Sequence, residues 1–203
     1  MRRAVMFLAA TAVLATANLS AQATSFAGTW TPVVDPNAAA PQGRGGGAAG
    51  PMTISQDAKT MTITSDGQPV KTLQVSLGAA KTPTYLGTAL VMAKSNPEEM
   101  KSDPGEVPGY DVMVPWSVRI TDSGEFIHDA SWNGQIGSAN TSHGCTNLSP
   151  ADAQWYYNWA QIGDPVTYAN TGTSTVIPAG DGWGDWNVDW NTWTQGGLLP
   201  PGQ

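Results

Sequence analysis

Basic residues are few in this chain and end early. Of nine Lys and Arg, two are Arg2 and Arg3, and none follows Arg119, whereas eight acids do. The formal charge of -7 gives a surface that repels phosphates and anionic lipid head groups, which excludes nucleic-acid binding and favours an amine-bearing substrate. Cysteine is scarcer still. Cys145 stands alone, so no intramolecular disulfide can close. Histidine occurs only at positions 128 and 143. Charged residues make up 12% of the 203, against 23 Gly and 15 Pro, a balance that disfavours long helices and suits short strands joined by turns. No repeat at a solenoid period is present. The length suits one sizeable domain with extensions.

Long apolar runs are missing too. The stretch Ala4 to Ala17 covers about 14 residues, where a bilayer-spanning helix needs about 20. It follows Arg2 and Arg3 and precedes Ala21-Gln22-Ala23, the pattern of a cleaved secretion signal over residues 1–23 with a mature start at Thr24. An uncleaved membrane anchor is the alternative; with no cysteine near the cleavage site, a lipoprotein anchor is not indicated. Export to a periplasm or cell wall places the chain where paired cysteines would oxidise. A lone thiol there is either inert filler or a reactive group, and its neighbours must decide which.

Residues 24–51 read as a short β segment, Phe26 to Trp30, and a Gly/Ala-rich linker. From residue 52 to about 170 the pattern is that of one mainly β domain. Met52–Ile54 and Met61–Ile63 alternate apolar with Thr, Asp66-Gly67 signals a hairpin, and Val70 to Leu77 continues beyond it. Leu86 to Met92 and Tyr110 to Ile120 predict further strands, with the polar, proline-containing residues 94–109 as a mobile loop between them. Phe126-Ile127-His128 and Val166-Thr167-Tyr168 predict two more. One helix is announced over 149–160: Ser149 as N-cap, Pro150 in the first turn, Asp152 three residues after the cap, Trp155 and Trp159 on one face and Gly163 as terminator. Residues 171–203 form a tail carrying Trp183, Trp186, Trp190 and Trp193. Its Gly, Asp and Asn argue against a long helix, and its indoles are expected to pack on the domain rather than bind carbohydrate.

Ser142-His143-Gly144-Cys145-Thr146-Asn147 carries the chemistry. A free thiol of pKa ~8.5 is mostly protonated near neutrality and needs a base. His143 lies two residues before Cys145, a spacing that puts both side chains on one side of an extended or turning backbone. Gly144 permits a sharp turn, and amides of Gly144 and Cys145 can then face an oxyanion. A metal-ligand pair or a packed turn stays open at this point. Zinc would need further ligands, which only His128 and carboxylates can supply.

The run Asn140 to Ala153, with Val75-Ser76-Leu77-Gly78, Thr82-Pro83-Thr84, Gly87, Ser123-Gly124, His128 and Trp132 ahead of it and Gly182 to Asn187 behind, closely resembles the L,D-transpeptidase (YkuD-like) catalytic domain in its actinobacterial-type subgroup. The resemblance implies a curved β-sandwich with one short helix after the cysteine loop. It implies a cysteine acyltransferase that releases D-Ala from tetrapeptide stems of peptidoglycan, carries the acyl group on Cys145 and passes it to an amine of a neighbouring stem, joining third residue to third residue. His143 is then the general base, the backbone of Ser142 helps orient its imidazole, Gly144 and Cys145 supply oxyanion donors, and His128, Tyr110, Ser123, Asn147 and Met100 form the substrate pocket. No cofactor or metal is implied, and carbapenem-type inhibitors are expected to acylate Cys145. An L,D-carboxypeptidase, with water in place of the amine, and a non-catalytic wall-binding module built on the Trp tail are the alternatives. The sequence departs from the subgroup at Asp129, expected near the pocket as an attractor of a cationic acceptor, at Ser131, and in 94–109, which resembles a shortened lid lacking its aromatic residue.

Overall fold

In a computed structural model, the described residues are 52–55, 59–102, 104–105, 109–184 and 186–195, all within the compact unit Val34–Gln203. The leader, the segment at Phe26 to Trp30 and the linker fall outside the described residues. Strands β1 (Met52–Ser55), β2 (Thr60–Ser65), β3 (Gln68–Gln74), β4 (Gly87–Leu90) and β11 (Pro165–Ala169) build one sheet in the order β3-β2-β1-β11-β4. A second sheet runs β10-β9-β8-β5, from β5 (Ala93–Ser95), β8 (Ser117–Arg119), β9 (Phe126–Asp129) and β10 (Thr146–Leu148). Strands β6 (Glu98–Lys101) and β7 (Asp111–Val114) pair as a separate hairpin.

Local sequence explains the surest elements. Asp66 and Gly67 both adopt positive φ, 50° and 73°, as a two-residue turn between right-twisted strands requires. Alternation then buries Met52, Ile54, Met61, Ile63 and Leu73 in a single core cluster with Val118, Ile127 and Leu148 of the second sheet. Helix α1 (Pro150–Trp159) packs against β9 and β8 with Ala153, Tyr156 and Trp159 buried. Its cap is reciprocal: Ser149 Oγ accepts from Asp152 N and donates to Asp152 Oδ2. The helix runs to Trp159 with Ala160 as its C-cap, in agreement with the expected bounds. Trp155 and Trp159 stack at 5.9 Å, with Lys71 Nζ 4.4 Å above Trp155.

Three expectations are corrected. Tyr110 to Ile120 is not one strand but two, β7 and β8, broken at Pro115 and Trp116. Proline offers no N–H to a ladder, and Trp116 sits at φ 51° with its N–H turned to Asn96 Oδ1. The break sends β7 to pair with β6 and β8 with β9. Residues 94–109 are accordingly not all loop: they hold the end of β5 and all of β6, where cross-strand partners, including Lys101 Nζ 3.4 Å from Asp111, outweigh polar composition. Among its described residues the tail contains only a short helix, α2 (Trp190–Thr194), and its four indoles are between 46% and 63% exposed rather than packed. Polar groups tie the tail down instead. Asn187 accepts from Thr88 N and donates to Thr88 O, and the Asp181 carboxylate accepts from Ser123 N and Oγ.

After β3 the chain leaves the first sheet and runs beside the cysteine loop. Ser76 exchanges backbone hydrogen bonds with Asn147, Ala79 N donates to Ser142 O, and Ser142 N donates to Leu77 O. Gly78 sits in this crossing with no room for a side chain. A Cβ there would overlap the Thr82 carbonyl oxygen and stand 2.5 Å from Thr84 N and 2.8 Å from Pro83 C. Because all three contacts are backbone, Gly78→Ala is expected to destabilise the fold by about 3 kcal/mol, the upper end for overpacking. Thermal denaturation of the purified variant measures this; an unchanged midpoint would show that the crossing has slack.

Candidate active site

The loop between Asn140 and β10 is held on both flanks. Thr84 Oγ1, fully buried, accepts from Gly78 N at 2.9 Å and donates to Gly144 O. Asn140 Oδ1 accepts from Leu77 N. Ser142 folds its side chain under the turn, donating to Cys145 O at 2.6 Å and accepting from Gly144 N at 3.2 Å. Gly144 stands at φ 128°, a conformation that side-chain-bearing residues rarely adopt. The loop therefore projects His143 outward and leaves Cys145 half-buried.

Both face a cavity of about 570 Å³. Its walls come from three places: Met100, Tyr110, Val112 and Val114 from the β6–β7 hairpin; His128 with Trp132 to Gln135 from the end of β9 and beyond; Thr141 to His143, Cys145 and Asn147 from the loop and β10. Tyr110 lies against His143 with ring centroids 5.4 Å apart, so an aromatic side chain does reach the histidine from this hairpin. His128 is buried and stacks on Trp132 at 6.0 Å. Its Nδ1 donates to Asp129 O at 2.6 Å, which leaves Nε2 as acceptor, and burial pushes its pKa below the ordinary range, so the ring is neutral. Asn147 pairs beside His128 in the β10–β9 ladder, and its Oδ1 is buried without a partner among the described residues. A ligand N–H fits that acceptor.

Seven of the nine anticipated site residues thus line one cavity: Cys145, His143, Ser142, His128, Tyr110, Asn147 and Met100. Two do not. Ser123 is turned away, with its N–H and hydroxyl bound to Asp181. Gly144 lies beneath the surface, and its N–H is taken by Ser142 Oγ, so of the two expected oxyanion donors it is already engaged. The Ser142 carbonyl is likewise occupied, by Ala79 N and Thr82 Oγ1. The Ser142 hydroxyl serves the turn. Asp129 is buried and absent from the cavity wall, so it presents no open carboxylate to a cationic acceptor. Among the described residues no group of three or more His, Cys, Asp or Glu is arranged to hold a metal ion.

The chain matches YkuD, the L,D-transpeptidase catalytic domain, over residues 52–167. It belongs to that family. It is 39% identical over 150 residues to L,D-transpeptidase 2 of Mycobacterium tuberculosis, covering 71% of this chain and 36% of that protein. Among solved structures, LD transpeptidase LdtMt1 in complex with imipenem has 35% identity and a TM-score of 0.58, covering 61% of this chain and 60% of that one. L,D-transpeptidase 3 from Mycobacterium tuberculosis in complex with a faropenem-derived adduct has 32% identity and a TM-score of 0.57, covering 62% of this chain and 61% of that one. The chain therefore spans about a third of that curated relative and three-fifths of the solved ones.

Within this L,D-transpeptidase domain the thiol of Cys145 is not pre-ionised. Burial pushes it up to about 11; the Phe126 backbone N–H opposes the shift and the charge of Glu125 adds to it. The Sγ–H points to Gly124 O at 3.8 Å. Glu125 went unremarked in the sequence, where the only clue is an acid abutting the apolar Phe126-Ile127 pair. It is 8% exposed, Oε1 accepts from Tyr85 N at 3.2 Å, and Oε2 has no partner among the described residues. Burial first, then the charge of Asp181, push its pKa up to about 8 against the Tyr85 N–H. An unfolded chain releases this proton in the ordinary carboxylate range, so the folded state holds it longer. The resulting contribution to stability is complete below that range and lost as pH rises to about 8. Glu125→Gln, which cannot ionise, should melt above the parent at alkaline pH by an amount on the order of a few kcal/mol. The gap should close toward pH ~5; melting curves across that range that stay parallel would contradict the assignment.

Proposed function

We propose that this protein is an exported peptidoglycan L,D-transpeptidase working through a Cys145 acyl-enzyme. The observation that carries the reading is the placement of the only thiol, with His143 and the open acceptor of Asn147, in one cavity of the size of a peptide stem. His143 takes the proton as the Cys145 sulfur attacks the carbonyl of the third stem residue. Collapse of the tetrahedral intermediate breaks the bond to D-Ala, whose amine leaves with the proton from His143. An amine of a neighbouring stem then attacks the thioester, its proton passes to His143, and the sulfur is regained as thiol. Asn147 Oδ1 accepts a backbone N–H of the donor stem, while neutral His128, Tyr110 and Met100 shape its seat. Water in place of the amine would give L,D-carboxypeptidation. The apolar side chains that the β6–β7 hairpin turns to the cavity, Met100, Val112 and Val114, favour the amine, since they restrict water at the thioester. The β-lactam-type compounds held by the two solved relatives make Cys145 the expected site of a carbapenem adduct here.

Intact-mass measurement after carbapenem exposure should show one adduct on the parent and none on Cys145→Ala, which should also release no D-Ala from tetrapeptide stems. Release by the variant equal to the parent would remove Cys145 from the mechanism. His143→Ala should acylate more slowly near neutrality by about 10²–10⁴-fold, the usual worth of a general base. Because the thiol ionises unaided only toward pH 11, the deficit should shrink steadily as pH rises. A deficit that is constant with pH would assign His143 a role other than base.

A further inference from the structure

Both peptide groups flanking Glu125 touch the Cys145 sulfur. The Gly124 carbonyl accepts from Sγ at 3.8 Å, and the Phe126 N–H favours the thiolate. The side chain between them turns inward behind the cysteine loop, where a Cβ on Gly144 would stand 3.2 Å from Glu125 Oε1. Its Oε2 is buried without a partner among the described residues. The residue is also anchored from the tail: Glu125 N donates to Thr121 Oγ1, which bonds Ser123 Oγ, which donates to the Asp181 carboxylate. No strand-pairing requirement calls for an acid at this position, since β8–β9 pairing is by backbone and the residues that follow are apolar.

We propose that Glu125 is a positioning residue of the acyl transfer: its peptide groups seat the Cys145 sulfur, and its carboxyl, packed behind Gly144, makes the thiolate harder to form once it has lost its own proton. The inference rests on Cys145 being the nucleophile. Three titratable groups share Glu125's surroundings. Asp181 of the tail repels its negative form, Cys145 of the loop is itself repelled by it, and Tyr168 of β11, bonded to Thr146 Oγ1, stays neutral because burial holds its pKa well above the ordinary phenol range. As pH climbs through about 8, Glu125 loses its proton and the thiol becomes harder to ionise. The enzyme would then gain less from alkalinity than a lone thiol does.

The test is the rate of iodoacetamide alkylation of Cys145, followed by intact mass on the full chain between about pH 6 and pH 10. Since Cys145 is the only thiol, alkylation reads its ionisation without any stem peptide, so this experiment can fail while D-Ala release stands, and the reverse. The parent's rate should rise with pH and bend downward from proportionality near pH 8. In Glu125→Gln the bend should vanish, and the ratio of rates at about pH 9.5 and pH 7 should exceed the parent's on the order of fivefold, the scale of one like charge at close range. Asp181→Asn, which keeps the carboxyl of Glu125 and removes a repelling charge, should move the parent's bend to lower pH. Superimposable profiles of parent and Glu125→Gln would overturn the proposal. Should Glu125→Gln not fold, an Asp181→Asn bend that stays in place would overturn it equally.

Discussion

A single buried hydroxyl ties the scaffold to the chemistry. Thr84 Oγ1 accepts from Gly78 and donates to Gly144, linking the strand that has just left the first sheet to the turn that carries the thiol. Around it, backbone bonds run from Ser76, Leu77 and Ala79 to Ser142 and Asn147. The loop would otherwise be a glycine-bearing turn with little to hold it. Because the clamp comes from residues some sixty positions earlier in the chain, the nucleophile is placed only once both sheets have met. Gly78, without a Cβ, is what lets residues 82–84 fold back against it and so brings the Thr84 hydroxyl to the cysteine loop.

What could be read from the sequence was what local chemistry dictates. Ser149-Pro150 with Asp152 encodes a cap that needs no tertiary information, and Asp66-Gly67 encodes a turn whose φ values few other residues tolerate. His143 and Cys145 were legible for a related reason, since two residues apart on a turning chain is a local geometry. The failures are non-local. Nothing around residues 94–109 says that β6 will find β7, and nothing around Ser123 says that a carboxylate from the tail, Asp181, will claim its hydroxyl. Gly144 is legible as the pivot of the turn, but nothing in the sequence says that the Ser142 hydroxyl will occupy its N–H. Glu125 was missed because an acid in an apolar stretch looks like a solvent-facing strand position until burial is known.

The site divides its electrostatics by depth. His143 is at the solvent-facing rim, while His128, Cys145 and Glu125 sit where burial penalises charge. Two neutral groups, His128 and Glu125, lie on either side of the thiol where negative charge must briefly appear. Such an arrangement keeps the resting thiol in its proton-bearing form.

Asn187 has a bearing on solubility as well as on docking. β4 is an outermost strand of its sheet, and the outward N–H and C=O of Thr88 are both met by one side-chain amide, while Leu86 exchanges backbone bonds with Thr175 and Ile177. An asparagine amide carries the same donor and acceptor as a peptide group, so it stands in for the neighbouring strand that is not there. The segment carrying it shields β4 from another molecule's strand, much as a lid of backbone would. The Trp-rich tail, whose indoles contribute little to the core, in this way closes an edge that would otherwise template intermolecular β-pairing.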